Sequence, residues 1–144
     1  MRTPWHLWLT GVAALLWNAG GAFDYYMMKT SNAAYQAQLS PAQRAFYDDY
    51  PFWVNVAWAL GVWGAVAGAI LLLLRSRFAI HAFAISLAGM AGNLVWGYFV
   101  SPTPMSEVMG EAGLFPVLFT FAIALVGIAL LVYAMRMAQR GVLR

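Results

Sequence analysis

The side chains able to do chemistry in this sequence are few, and most of them are amides. Asn18 and Asp24 lie in a first apolar run, Asn55 in a second and Asn93 in a third, each in the half of its run that faces the same side. In a lipid-facing stretch an amide or carboxylate is costly, so each marks either a hydrogen bond between helices or a contact to a ligand. At ~100° per residue Gly21 falls between Asn18 and Asp24 on one helix surface, leaving room for a partner backbone or a ligand. Trp17, Tyr25, Trp96 and Tyr98 fall at similar depth. Amides that donate and accept, beside rings that cover C–H faces, suit a polyhydroxylated or zwitterionic solute, and they suit interhelical glue equally. The depth of Asp24 decides its charge: below the headgroups desolvation favours the neutral acid, whereas a water-filled vestibule keeps it ionised.

Other constellations are thinner. His6 and His81 are the only histidines, each about one turn in from the end of its run. Two imidazoles at one depth suit axial ligation of a haem, and facing headgroups is the commoner use of such residues. No third ligand stands by for a catalytic zinc, and with no Cys there is no disulfide, thiolate nucleophile or Cys-ligated metal. A nucleophile elbow, a phosphate-cradling glycine loop and His-Glu-x-x-His are all missing, and Asp48 and Asp49 read as a solvated pair. The expectation is a protein that is not an enzyme and carries no metal or resident cofactor. Asn18 follows His6 by twelve residues and Asn93 follows His81 by twelve, with Trp8/Phe83, Gly11/Ser86, Ala13/Ala88 and Phe23/Tyr98 also matching. That pattern suggests two helix pairs related as a parallel repeat, although the second helices of the pairs do not match.

Long apolar segments must position these groups. Of 144 residues 63% are hydrophobic and 9% charged, against about 25% charged in a soluble domain. Lipid is the expected solvent. Four runs, about 5–28, 52–74, 78–100 and 114–135, each give roughly 33 to 36 Å of helix, enough to cross a hydrocarbon core about 30 Å thick. Backbone groups in lipid must bond within their own segment, so the fold class is all-α: an integral membrane four-helix bundle forming one domain over 1–144. Arg2, Arg75, Arg77, Arg136, Arg140 and Arg144 fall on one side of an even-span topology, and only Lys29 and Arg44 on the other. The arginine side is then cytoplasmic, with both termini inside. The acids Asp48, Asp49, Glu107 and Glu111 fall in the two outer connections. The small residues Ala19 to Ala22 are followed by more apolar sequence, so the first run reads as a retained anchor helix. The net charge of +3 comes from cations at run ends, not from a patch, and nucleic acid is set aside.

The first outer connection, Lys29 to Pro51, carries Ser40-Pro41-x-Gln43, a capping-box pattern with proline at the first helical position, and predicts short interfacial helices. Thr103 and Pro104 predict a capped helix in the second. Arg75-Ser76-Arg77 is short enough to force an antiparallel hairpin. Gly61, Gly64 and Gly68 make a small-residue stripe for close helix packing, within the chain or across an oligomer.

At Leu16-Trp17-Asn18, Gly21, Asp24-Tyr25, Gly61-Val62-Trp63-Gly64 and the tail Arg140-Gly141-Val142-Leu143-Arg144, the chain resembles, over nearly its full length, a family of small bacterial four-span membrane proteins often labelled sugar transporters. The resemblance implies the bacterial inner membrane and solute transport. Two functions follow. The chain binds or passes a small polar solute through the layer of Asn18, Asp24, Asn55 and Asn93, as a homo-oligomer because four short helices enclose little volume. Alternatively it is an accessory subunit whose glycine stripe and aromatic loop dock a larger membrane complex. Haem carriage through His6 and His81 is a third reading.

Overall fold

The structure is a computed structural model that describes residues 2–110 and 113–144, so Glu111 lies outside it. All secondary structure in the described residues is helical. In chain order the elements are α1 (Trp5–Lys29), α2 (Ala33–Gln36), α3 (Pro41–Asp48), α4 (Phe52–Leu73), α5 (Phe78–Val95), which runs on as a π-helical turn (Trp96–Val100), α6 (Met105–Met109) and α7 (Phe115–Gln139). Among the described residues three helices, α4, α5 with its π turn, and α7, are long and apolar enough to cross a membrane. At 25 residues α1 is as long as α7, but its indoles, phenols and amides make it more polar.

Helix ends follow local chemistry. The capping box forms: Ser40 Oγ accepts from Gln43 N–H at 3.1 Å and Gln43 Oε1 from Ser40 N–H at 2.9 Å, with Pro41 opening α3. Thr103 does not cap α6. Pro104 itself is the residue before the helix, and the Ser101 hydroxyl accepts from the Thr103 amide at 3.2 Å. Apolar character ends near Met135, yet α7 continues to Gln139, because Arg136 and its neighbours are good helix formers and nothing stops them. Gly141 does stop them. At φ +70° it lets Val142 N–H reach Met137 O at 2.9 Å and its own N–H reach Ala138 O at 3.0 Å, a Schellman closure. Arg75 closes α4 the same way at φ +59°, with Ser76 N–H on Leu71 O at 2.8 Å.

Packing is uneven. The α4–α5 hairpin is the most intimate pair, α1 packs on the free side of α4, and α7 on the free side of α5. The glycine stripe faces α5: a Cβ on Gly64 would sit 3.1 Å from Ala82 O, and one on Gly68 would sit 2.6 Å from the Phe83 ring. The tightest glycine is on the other helix. A Cβ on Gly89 would lie 2.7 Å from Gly61 N and against Ala57 O. Ser86 Oγ donates to Gly61 O at 2.6 Å across the same seam.

At the arginine-bearing end all four long helices meet in one apolar cluster that includes Leu7, Leu72, Ala79, Met137, Val142 and Leu143. The tail is locked there: Arg144 N–H donates to Arg75 O at 2.7 Å, and Arg77 N–H donates to Arg144 O at 2.9 Å. Side-chain bonds from Arg75 Nε to Val142 O and from Arg77 Nε to Leu143 O, each 3.3 Å, complete the lock. At the opposite, loop-bearing end Phe46 of α3, Val54 of α4 and Trp96 form a second small core.

Candidate ligand cavity

Between the two ends the four long helices enclose a cavity of about 670 Å³, within the 300 to 1,000 Å³ range of small-molecule sites. Helical periodicity sets its lining. From α1 come Leu16, Trp17, Asn18, Gly20, Gly21 and Asp24; from α4, Trp58, Gly61, Val62 and Ala65. From α5 come Phe83, Ser86, Met90 and Asn93, spaced by three and four residues on one face, and α7 adds Phe119, Ile123, Val126, Gly127 and Leu130. The polar groups are Asn18, Asp24, Ser86 and Asn93, and the α7 wall is wholly apolar.

Their hydrogen bonds define what is left to offer. Asn93 Nδ2 donates to Gly89 O of its own helix at 3.1 Å. Asn18 Nδ2 stands 3.5 Å from Ala65 O, at the far limit of a hydrogen bond. Asp24 accepts from the Tyr35 hydroxyl. Ser86 Oγ donates its one hydrogen bond to Gly61 O. Among the described residues no Lys or Arg is within ion-pair distance of Asp24, and no buried side-chain nitrogen or oxygen lacks a partner. The unused oxygens of Asn18, Asn93 and Asp24 are therefore accessible, and they make an acceptor-rich pole.

The loop end roofs this pole. Tyr35 reaches Asp24 from α2. Tyr25 meets the Trp58 ring edge to face at 4.9 Å, Tyr47 stacks on Trp58 at 5.6 Å, and Tyr50 meets Trp96 at 4.8 Å. Lys29 Nζ lies 5.3 Å from the Trp58 ring centroid, a cation–π contact. The phenols respond to this setting. Tyr35 is pushed up to about 12, chiefly because it donates to the Asp24 carboxylate. Burial, and secondarily the charge of Asp24, pushes Tyr47 up to about 12. Burial likewise raises Tyr50.

Of the residues singled out from the sequence, Trp17, Asn18, Asp24, Asn93 and Gly61 are brought to the cavity. Asn55, Tyr25, Trp96 and Tyr98 are not. Asn55 sits one turn beyond Trp58, where it bonds Lys29 and the carbonyls of Tyr50 and Pro51. Tyr25 lies ~100° around the helix from Asp24 and turns into the roof. Trp96 is carried by the π turn into the core under Phe46, and Tyr98 is exposed. Gly64 and Gly68 pack against α5 outside the cavity. Neither imidazole lines it either: His6 Nδ1 pairs with the Tyr133 hydroxyl, and His81 is exposed beside Phe78. The matched positions Trp8 and Phe83 differ in setting, the first exposed and the second buried.

Sequence reasoning missed Ser86, Trp58 and the whole α7 wall. Ser86 and Met90 were reachable by stepping back from Asn93 at helical spacing; the polar side chain of α7 in this stretch, Thr120, bonds Pro116 O of its own helix and does not line the cavity, so it signals no facing side. Comparison with protein-family models, with curated proteins and with solved structures finds no match for this chain.

Proposed function

We propose that the chain is a four-span inner-membrane protein with both termini cytoplasmic, and that it binds a small molecule in the cavity between α1, α4, α5 and α7. The observation that carries this reading is the acceptor-rich pole of Asn18, Asp24 and Asn93 at one end of a 670 Å³ space. Polar groups that only glue helices would be consumed by one another, whereas these three keep free oxygens. The packed cluster at the arginine end supports binding over free passage, since Leu7, Leu72, Phe83 and Leu130 close the route. Arginines at one end and acids with aromatic rings at the other support the orientation. The resemblance to bacterial proteins labelled sugar transporters makes sugars one class to test.

The test is ligand-induced thermal stabilisation in reconstituted vesicles across sugars, polyols, amino acids and long-chain amphiphiles. A ligand at 100 times its Kd adds about 2.7 kcal/mol, which Asn18→Leu and Asp24→Leu should abolish. Stabilisation by none of them, or equal stabilisation of the variants, refutes the reading. Topology is tested separately: the chain lacks Cys, so Ser76→Cys should be labelled only from the cytoplasmic side and Asp48→Cys only from outside.

A second reading has its own support. α7 buries only Leu130, Ala134 and Met137, all in its latter half, so its first half offers an apolar face to lipid or to a partner helix, as an accessory subunit would. Recovery of the chain as a lone species from gently solubilised native membranes would refute it.

A further inference from the structure

The cavity has a roof, a floor and two solid walls, and it has an open side. Its α4 and α5 linings are buried or half-buried. On α1 and α7 part of the lining is also surface: Leu16 is 70% exposed, Trp17 43% and Phe119 48%, and a Cβ on Gly20 or Gly21 would meet nothing within 4 Å. These two helices are fastened at the arginine end by the His6–Tyr133 hydrogen bond and the shared core of Leu7, Ala134 and Met137. Toward the loop end their link is the open 6.2 Å ring contact of Trp17 and Phe119. The mouth is thus a seam along the helices, at the level where apolar side chains face outward. Above the polar pole, Tyr35 and the ring cluster of Tyr25, Trp58 and Tyr47 stand between it and the loop end.

The interior is equally one-sided. From Phe119 to Leu130 the α7 wall is apolar over about eleven residues, roughly 16 Å of helix. The pole at its upper end offers the oxygens of Asn18, Asn93 and Asp24, with no cation in ion-pair range of the carboxylate among the described residues. A head that donates hydrogen bonds is welcome there; a phosphate or carboxylate is repelled by Asp24, and the cation of the roof, Lys29, is engaged by Asn55 and the Trp58 ring.

Resting on the ligand-binding reading above, we propose that the ligand is a long-chain amphiphile with a hydrogen-bond-donating head, a hydroxyl or an ammonium. It enters from the bilayer through the α1–α7 seam, its head lodging at Asn18, Asp24 and Asn93 and its chain lying along Phe119 to Leu130. This is a different ligand class from a free sugar arriving through water.

Photo-crosslinking tests it. The whole chain in phosphatidylcholine vesicles is irradiated with diazirine-bearing dodecanol, dodecylamine or dodecanoate, and the adducts are mapped by mass spectrometry. The alcohol or the amine, or both, should label Ile123 and Val126 at least fivefold over the outward-facing Phe121 and Leu125, and at least fivefold over the carboxylate at the same positions. The comparison between alcohol and amine tells which head is preferred. Gly21→Leu, which has open space for its side chain, and Ala65→Leu, which fills the interior, should each reduce the cavity adducts to the level of Phe121. Labelling spread evenly around α7, equal labelling by the carboxylate, or persistence in both variants overturns the proposal. A sugar or amino acid that stabilises the protein while these probes give even labelling overturns it and leaves the ligand-binding reading standing; failure of both experiments removes both.

Discussion

Gly89→Ala should separate α4 from α5, while Gly61→Ala across the same seam should not. A methyl at Gly89 arrives 2.7 Å from Gly61 N and also against Ala57 O, both main-chain atoms that no rotamer change can clear. Restoring ordinary contact near 3.4 Å at Gly61 N alone moves the helices apart by at least about 0.7 Å, which stretches the Ser86–Gly61 bond from 2.6 Å to roughly 3.3 Å or beyond. Overpacking of this kind costs about 1 to 3 kcal/mol, and the weakened bond adds about 0.6 kcal/mol. A methyl at Gly61 instead meets Met90 N at 3.5 Å and Ser86 O at 3.6 Å, which is ordinary contact. Both replacements gain about 1 kcal/mol of helix propensity, so that contribution cancels in the comparison. Gly89→Ala should therefore be less stable than Gly61→Ala by about 2 to 3 kcal/mol. Unfolding in mixed dodecyl maltoside and sodium dodecyl sulfate micelles, followed by circular dichroism, measures the difference. Two variants within about 0.5 kcal/mol of each other would refute the claim that backbone approach at Gly89 sets the helix spacing.

Other expectations are shorter. Leu143 is 1% exposed in the cluster at the arginine end, so Leu143→Ala should cost about 2 to 4 kcal/mol in the same unfolding assay, and an effect below 1 kcal/mol would mean the tail is not docked. Tyr35 and Tyr47 are pushed up to about 12 from an unfolded value near 10, so folding holds both phenols neutral. Their contribution is fully present below pH 10 and is lost as pH rises through about 12, which melting temperatures from pH 8 to 12 should trace. Asp24→Asn removes the carboxylate that raises both, so tyrosinate absorbance near 295 nm should develop at lower pH than in the parent; an unchanged titration would break the Asp24–Tyr35 link.

Much of this architecture was legible because lipid-compatible helices leave a strong trace. The long runs, the Arg75–Arg77 hairpin and the Ser40–Gln43 box each depend on neighbours in sequence. Phase was harder to read. Depth alone grouped Asn18, Asp24, Asn55, Asn93, Trp17, Tyr25, Trp96 and Tyr98, but a residue one position on is ~100° around the helix, so Tyr25 left the group that Asp24 joined. Gly89 carries no comparable signal, because the small-residue pattern lies on α4 while the tighter half of the contact lies on α5. The docked tail had no sequence signal beyond Gly141, since Val142 and Leu143 are too short a run to announce burial. The approach of α1 to α7 at one end only is a property of three-dimensional packing.

The π turn at Trp96–Val100 has a consequence for how this chain tolerates changes in length. Its bond from Ser101 N–H to Trp96 O, 2.8 Å long, spans one residue more than an α-helical turn does, so the segment holds a surplus residue relative to a regular helix. Deleting one residue there would restore regular winding and leave the two flanks nearly in their present phase, because four α-helical residues cover about the arc that five cover in the π turn. A deletion in the regular helix between Asn93 and Trp96 would instead swing Trp96 and Gly97, buried beside Phe46, by ~100° relative to Asn93. The turn is thus the place where this helix can lose a residue without re-aiming the aromatic partner of α3.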